Sequence, residues 1–192
     1  CKNLIAVLEH PKDLRSVGIF IKNVHALGVE KVCIISSDPD LPAQMQALRG
    51  RYIWASPSVS PKRWSFLEVY PSSLEGIQHL KSRGFVSIAS GTHTSSKVHK
   101  SLDSVNFTIL KKLAIWFGHD SQNLSSAAIE EAKFCVHIPM AGLVDHLSLG
   151  TSSGIILYEA TKQRREYASF LAEKRQWKKE MAELQRARTH NA

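Results

Sequence analysis

Small residues gather where a predicted strand passes into a predicted helix, between residues 138 and 160. The strand tail ends at Pro139, and a loop of small residues follows it. The next helix begins with small residues and continues with bulky ones; the small ones are Gly150, Ser152, Ser153 and Gly154. Small residues at a helix start allow a ligand or another backbone to come close. The spacing also fits an ordinary strand-loop-helix joint of any α/β protein, so both interpretations stay open.

A second place suited to a ligand follows the apolar run at residues 85–89. This predicted strand passes directly into Ser90 and Gly91. In doubly wound sheets, ligands bind in the crevice outside the carboxyl ends of the strands. We therefore expect a ligand site where this strand ends.

Predicted strands and helices alternate along most of the chain. Apolar runs predict strands at residues 3–8, 32–35, 85–89, 112–117 and 134–138. Apolar residues at helical spacing predict helices at residues 16–27, 42–48, 72–83 and 125–132, and a last helix from near Leu147. Asp13 or Ser16 is the predicted cap of the first helix, and the polar residues 94–106 predict a loop. The predicted fold class is α/β, with helices flanking a parallel sheet.

The length and composition of the chain fit one globular domain with an appended arm. The chain has 192 residues, 43% hydrophobic and 22% charged, which fits one α/β domain. No apolar run reaches the length of a membrane span. The first residues lack a secretory signal pattern, which favours a cytoplasmic location. The chain begins at Cys1 rather than Met, which leaves open a segment upstream.

The cysteines and histidines do not predict a metal site. Cys1, Cys33 and Cys135 are scattered, with no CxxC pair or other ligand spacing. Cys33 and Cys135 lie in apolar runs, so we expect buried, reduced thiols. The nine histidines form no metal array either, and His119 lies in a predicted loop.

A net charge of +8 favours an acidic partner, and RNA fits this requirement. Arg49 and Arg51 stand beside Tyr52 and Trp54, an arrangement that pairs with and stacks on RNA. Core aromatics with solvated arginines explain this cluster as well. Residues 164–190 predict an amphipathic basic helix that contacts phosphates, and the alternative is an exposed helix docked on a partner subunit. The predicted RNA-binding residues of this arm are Arg164, Arg165, Lys174, Arg175, Lys178 and Lys179.

The order of residues after the last predicted strand resembles the C-terminal signature of the SpoU/TrmH family of SPOUT-type RNA methyltransferases. The shared features are Ile-Pro-Met at residues 138–140, Gly142, and the helix sequence Ile-Leu-Tyr-Glu-Ala at residues 156–160. The Ser-Leu-Asn core of the family is replaced here by His146, Leu147 and Ser148. The resemblance covers about residues 3–165, with a basic helical extension at residues 166–192.

Two further motifs of the family are matched in part. In the first, an asparagine at the helix start and an arginine six residues later correspond to Ser16 and Lys22. In the second, a glutamate after the strand corresponds to Asp120, and Asn123 takes the place of a glycine. Together with the changed core, five site positions differ from the family pattern; they are Ser16, Lys22, Asp120, His146 and Ser148.

The resemblance implies a homodimer whose C-terminal segment is threaded into a trefoil knot, a rare topology. In the family, the knot binds S-adenosylmethionine largely through backbone groups, which tolerate changes of side chain. The residues implied for this pocket are Ala89, Ser90, Gly91, Gly118, Ile138, Met140 and Leu147.

The implied reaction moves a methyl group from the sulfonium to a ribose 2′-oxygen of tRNA or rRNA. Lys22 beside a sulfonium would act as a base, since like charge and desolvation disfavour its protonated form. His146 is an alternative base, and Asp120 would orient either one. The five substitutions keep a second interpretation open, a non-catalytic RNA-binding homodimer. A nucleotide-binding α/β protein is a weaker alternative, because no GxGxxG or GxxxxGK[ST] loop is present.

Overall fold

Seven parallel strands form one sheet in the computed structural model, which describes residues 1–48, 67–91, 97–119 and 124–190. Every strand pairing in this sheet is parallel, in the order β3-β2-β1-β6-β4-β7-β5. The strands are β1 (Leu4–Glu9), β2 (Lys31–Ile35), β3 (Leu67–Tyr70), β4 (Val86–Ser90), β5 (His99–Ser101), β6 (Leu113–Phe117) and β7 (Cys135–His137). The predicted α/β class with a parallel sheet is confirmed.

Within the described ranges, five α-helices follow the strands and pack on both faces of the sheet, and a short 3₁₀ helix follows β5 at Leu102–Ser104. The helices are α1 (Leu14–Ala26), α2 (Leu41–Leu48), α3 (Ser73–Ser82), α4 (Ser126–Glu131) and α5 (Leu149–His190). The start of α5 and most of α1 pack on one face, whereas α3 and α4 pack on the other. The central strands β1 and β6 are buried along their whole length, as expected for strands covered on both faces.

The two strands that the sequence pattern missed lie at the edges of the sheet. β5 is only three residues long, and two of them are exposed, so it carries no apolar run. β3 alternates apolar residues with Glu68, whose carboxylate accepts from Lys31 Nζ and, at 3.0 Å, from Tyr70 Oη. An edge strand needs little apolar surface, because part of its length faces solvent. The predicted loop at residues 94–106 is therefore wrong at β5 and at the 3₁₀ helix.

Helix α1 begins two residues before its predicted start because Asp13 caps it. The backbone of Asp13 is extended, and its Oδ1 accepts the N–H of Ser16 at 2.7 Å. This is an N-cap contact, which satisfies a donor that the first turn leaves unpaired. After the helix, Gly28 adopts a φ of +69°, a left-handed conformation that ends helices.

Arg164 ties α5 to the chain segment between β5 and β6. Its Nε donates to the carbonyl of Phe107 at 3.2 Å, and its Nη2 donates to the carbonyl of Leu110. Its Nη1 lies 3.4 Å from the carbonyl of Lys2 and 3.3 Å from that of Asn3. Burial lowers the pKa of this guanidinium. Arg164 therefore serves the fold, which differs from its predicted place on an RNA surface.

Helix α5 continues without a break past residue 165, where the sequence suggested a boundary between domain and extension. Residues 166–183 are exposed apart from the half-buried Leu171. The buried residues of α5 all precede this part, with Thr161 the last of them. The division at residue 165 therefore falls inside one helix, and it stays a prediction.

Glu9 is a buried carboxylate at the carboxyl end of β1 that holds two helix starts. Only 2% of the residue is exposed. Its Oε2 accepts the N–H of Ser125 at 2.6 Å, and its Oε1 accepts the Ser125 hydroxyl at 2.7 Å and the hydroxyl of Ser73. Ser125 caps α4, and Ser73 is the first residue of α3. Glu9 thus joins the central strand to both helices of one face.

Replacing Glu9 by Ala is expected to lower the free energy of unfolding by about 3 kcal/mol, because hydrogen bonds to charged groups contribute about 1.5–3 kcal/mol each. Urea unfolding measures the change. The control is Glu130→Ala at an exposed helix position, where the expected change is within about 0.5 kcal/mol. Equal losses in the two variants would contradict this role of Glu9.

Candidate active site

The carboxyl ends of β4, β6 and β7 lie side by side at one edge of the sheet. Ala89 in β4 pairs with Trp116 in β6 and with Cys135 in β7. Ser90 pairs with Val136 in β7. Because parallel strands end at the same edge, this pairing brings the residues after the three strands together. They include Gly91, Gly118 and Ile138, all predicted for the cofactor pocket.

The end of β4 offers a backbone surface without a bulky side chain. Gly91 has a φ of +109°, in the region that favours glycine, and its N–H donates to the carbonyl of Val136 at 2.8 Å. Ala89 is fully buried, and its N–H donates to the carbonyl of Phe134 at 3.2 Å. Ala89 therefore packs in the core beneath this edge of the sheet, while Gly91 presents backbone without a side chain.

The loop after β7 is exposed along most of its length. Met140 is 39% exposed and Val144 60% exposed, and the side chain of Leu143 lies entirely in solvent. Leu147, where the loop returns to the body, is half-buried. Apolar side chains on such a loop present surface to an incoming ligand or partner, which an ordinary solvated loop does not need.

His146 is paired with its neighbour Asp145 in this loop. The Nδ1 of His146 lies 2.7 Å from Asp145 Oδ1, and both side chains are largely exposed. The hydrogen bond from His146 lowers the pKa of Asp145. With Nδ1–H directed at the carboxylate, Nε2 is the imidazole nitrogen that can accept a proton from another group.

Ser148 occupies the position before α5 and serves its first turn. Its Oγ accepts the N–H of Thr151 at 3.3 Å and lies 3.0 Å from Thr151 Oγ1. Its carbonyl accepts the N–H of Ser152 at 2.8 Å. These are capping contacts, so Ser148 has a structural role, and its predicted catalytic role stays a prediction.

Ser16 and Lys22 lie on α1, which follows β1 at the same edge of the sheet. Ser16 is in the first turn and half-buried, and its N–H is bound to Asp13. Lys22 is exposed, one turn beyond Ile19 and next to Asn23. Ile19 and Asn23 both contact the start of α5, and Lys22 lies beside this contacting face of α1.

A hydrogen-bond contact between Asp13 and His119 was not predicted from the sequence. His119 Nε2 lies 3.0 Å from Asp13 Oδ2, and the His119 side chain is only 10% exposed. The pair joins the start of α1 to the segment after β6, where the second family motif lies. The two residues are separated by 106 positions, so no spacing signal in the sequence connects them.

Several predicted site residues lie outside the described part of the chain; they are Asp120, Arg49 and Arg51. Of the basic residues predicted on the arm, five are exposed along α5: Arg165, Lys174, Arg175, Lys178 and Lys179. Within the described ranges, no group of three or more His, Cys, Asp or Glu side chains is arranged to hold a metal ion. No helix among the same residues has the length and apolarity required to cross a membrane.

The fold is that of an α/β protein in which the carboxyl ends of three neighbouring parallel strands lie side by side, the place where such sheets bind ligands. The sequence model of the SpoU rRNA Methylase family matches residues 3–158. The chain therefore belongs to the SpoU rRNA methylase family. The match begins before β1 and ends within α5, so it includes the whole sheet and the residues that follow β4, β6 and β7.

Relatives and solved structures agree with this assignment. The chain is 24% identical over 162 residues to the tRNA (guanosine(18)-2′-O)-methyltransferase of Thermus thermophilus, covering 84% of this chain and 76% of the relative. The structure of the A. aeolicus TrmH/SpoU tRNA modifying enzyme superposes with a TM-score of 0.67 at 23% identity, covering 88% of this chain and 78% of the other.

A second solved structure is that of the SpoU methyltransferase AviRb from Streptomyces viridochromogenes in complex with the cofactor AdoMet. It superposes with a TM-score of 0.65 at 20% identity and covers 84% of this chain and 60% of the other. At these identities the structural likeness establishes the shared α/β fold with its parallel sheet.

Replacing Asp13 by Ala is expected to lower the free energy of unfolding by about 1 kcal/mol near pH 6, through loss of the N-cap. The hydrogen bond from the Ser16 N–H, assisted by His119, lowers the pKa of Asp13 to about 2. The unfolded value is about 3.9. The charge of the carboxylate therefore stabilises the fold above about pH 4, and this contribution is lost as the pH falls to about 2.

The matched variant is Asp13→Asn, which keeps a capping oxygen but has no charge to lose. Urea unfolding at several pH values should show the wild type losing its advantage over Asp13→Asn as the pH falls. A constant difference between these two proteins across that range would contradict the assignment.

Proposed function

We propose that this chain is an S-adenosylmethionine-dependent RNA ribose 2′-O-methyltransferase that acts on tRNA or rRNA. The observation that carries the proposal is the alignment of the ends of β4, β6 and β7 at one edge of the sheet, which falls within the family match. Gly91 is left-handed there, so this edge includes backbone on which a Cβ would be strained. The tRNA methyltransferase named for the Thermus relative favours tRNA as the substrate class.

The residues at this edge fit a cofactor that is held by backbone groups. Of the predicted pocket residues, Ser90 is the last residue of β4, and Gly91, Gly118 and Ile138 follow β4, β6 and β7. Met140 and Leu147 lie on the loop beyond them. When bound, the cofactor would supply an electrophilic methyl group on a sulfonium. The part left to the protein is to hold the ribose hydroxyl in line and to accept its proton.

His146 and Lys22 are the two candidates for accepting this proton. Asp145 holds the imidazole of His146 by Nδ1, which leaves Nε2 to accept the proton of a 2′-hydroxyl. Lys22 lies on α1, beside the face that contacts the start of α5, and is exposed to solvent. Both are exposed in the single chain, so bound RNA or a second subunit is needed to exclude water around them. Asp120, as predicted, would orient whichever residue acts.

We also propose the finer features that the family implies, a trefoil knot and a homodimer. Support for the knot comes from the contacts of α5 with the segment between β5 and β6. The amide of Gln163 donates to the carbonyl of Val105 at 3.0 Å and accepts the N–H of Phe107 at 2.9 Å. Arg164 binds two carbonyls of the same segment. The cytoplasmic location predicted from the sequence stays a prediction.

The proposed RNA surface includes the exposed basic residues of α5 but excludes Arg164. The outer part of this helix carries Arg165, Lys174, Arg175, Lys178 and Lys179, all exposed. Cations along an exposed helix neutralise phosphates without reading sequence. Arg164 is left out because four backbone carbonyls surround its guanidinium.

The second candidate function is a non-catalytic RNA-binding homodimer. The observation that favours it is the exchange of all five catalytic positions, among them Ser148, whose hydroxyl serves the first turn of α5. This candidate predicts no methyl transfer, and it is also compatible with loss of cofactor binding.

Replacing Gly91 by Ala is expected to weaken S-adenosylmethionine binding at least about tenfold, because a side chain at this φ costs roughly 1–2 kcal/mol and displaces the edge of the crevice. Isothermal titration with S-adenosylmethionine and S-adenosylhomocysteine measures the affinity. The matched control is Gly84→Ala, since Gly84 also has a positive φ, +76°, but lies before β4 at the other edge of the sheet. Equal affinities of the two variants, or no binding by the unaltered chain, would contradict the pocket.

Replacing Lys22 and His146 singly by Ala is expected to slow methyl transfer by about 10²–10⁴-fold in at least one variant, the usual contribution of a general base. Transfer of labelled methyl groups to unmodified tRNA and rRNA measures the rate. Lys133→Ala is the control, because Lys133 is exposed and precedes β7 at the opposite edge of the sheet. Full activity in both variants would exclude these bases, and no activity in the unaltered chain that still binds the cofactor would favour the second candidate.

A further inference from the structure

The outer half of α5 carries large apolar side chains in solvent at a regular spacing. Tyr167, Phe170, Trp177 and Met181 are all exposed, Phe170 to 56% and Trp177 to 60%. Together with Lys174, they follow one another at intervals of three, four, three and four residues. This is the spacing of the a and d positions in a heptad, with Tyr167, Lys174 and Met181 at a and Phe170 and Trp177 at d. In the sequence, Leu184 continues the pattern.

The stripe formed by these a and d residues stays exposed in the single chain. The stripe begins where the contacts of α5 with the body end, because residues 165–170 are already exposed. An isolated helix of about this length is marginal in water, and its stability normally comes from packing of its apolar face. A 3.5-residue repeat also keeps the stripe on one side of the helix, so another helix of the same kind can cover it along its whole length.

The charges that flank the stripe favour a second copy of this chain in parallel orientation. Glu173 is at position g and Lys178 at the next e, and both are exposed. In a parallel, in-register pair, position g of one helix faces the following e of the other, so Glu173 meets Lys178 of the second copy. An antiparallel pair would instead place the g positions opposite each other, bringing Glu173 near Glu180.

We propose that residues 167–181 of α5 form a parallel two-stranded coiled coil with a second copy of this chain. The lysine at a single a position, Lys174, fits this state, since one polar residue in the seam specifies register and oligomer number. Arg175 and Lys179 are at the outward b and f positions. The coiled coil therefore leaves these two residues accessible to RNA while it covers the aromatic residues, and it removes Lys174 from the proposed RNA surface.

The test is site-specific disulfide formation in the full chain. In a Cys1→Ser background, where the remaining Cys33 and Cys135 are buried, Lys174→Cys places a thiol in the seam and Ala172→Cys places one at the outward f position. Under mild oxidation, we expect Lys174→Cys to form the covalent dimer about tenfold faster than Ala172→Cys, because the coiled coil holds the paired thiols at high effective concentration.

Adding Glu173→Lys to the Lys174→Cys protein is expected to slow the reaction about threefold, the range for exposed ion pairs, and adding Lys178→Glu as well should restore it. Equal rates for Lys174→Cys and Ala172→Cys would overturn the proposal, even if the chain dimerises through its sheet domain. Acceleration of Lys174→Cys by RNA alone, with none in nucleic-acid-free protein, would also overturn it. This readout does not depend on methyl transfer.

Discussion

The close contact between α1 and the start of α5 is the constraint on which the candidate site depends. Asn23 donates to the carbonyl of Gly150 at 2.7 Å and lies 3.3 Å from the hydroxyl of Ser153. A Cβ on Gly150 would lie 2.7 Å from Ile19 Cγ2, so only glycine allows this approach without movement of Ile19. The contact fixes the helix start that follows His146 and Ser148 against the helix that carries Lys22. This contact therefore brings the first and third family motifs together.

Two carboxylates, those of Glu9 and Asp13, likewise fix helix starts at this edge of the sheet. Glu9 binds the starts of α3 and α4, and Asp13 binds the first turn of α1 and the imidazole of His119. Helix starts present unpaired N–H groups and a partial positive charge, which makes a carboxylate a suitable partner. Hydrogen bonds from these two carboxylates thus hold the connections at this edge of the sheet, while the apolar core fixes the strands beneath them.

The sequence pattern predicted the helices and strands that have a continuous or periodic run of apolar residues. It missed contacts between residues that are far apart in the sequence. β1 and β6 were found because buried parallel strands are continuous apolar runs. β5 was missed because it is a short polar edge strand. Arg164 was placed with the RNA-binding cations because composition does not reveal burial, and its carbonyl partners lie more than 50 residues away. The contact of Asp13 with His119 was missed for the same reason. Both cases concern side chains whose partners come from other elements, and the RNA-binding role of Arg164 stays a prediction.

The five exchanged positions and the proposed backbone pocket have different physical consequences. A pocket formed by backbone at the ends of β4, β6 and β7 depends on strand pairing and on a left-handed Gly91, and neither requires the family side chains. Proton transfer depends on one side chain in the right place and protonation state. An arginine replaced by Lys22 keeps the charge but loses the planar fork. Cofactor binding is therefore expected to survive substitutions that change or remove catalysis, and the two properties have to be measured separately in this chain.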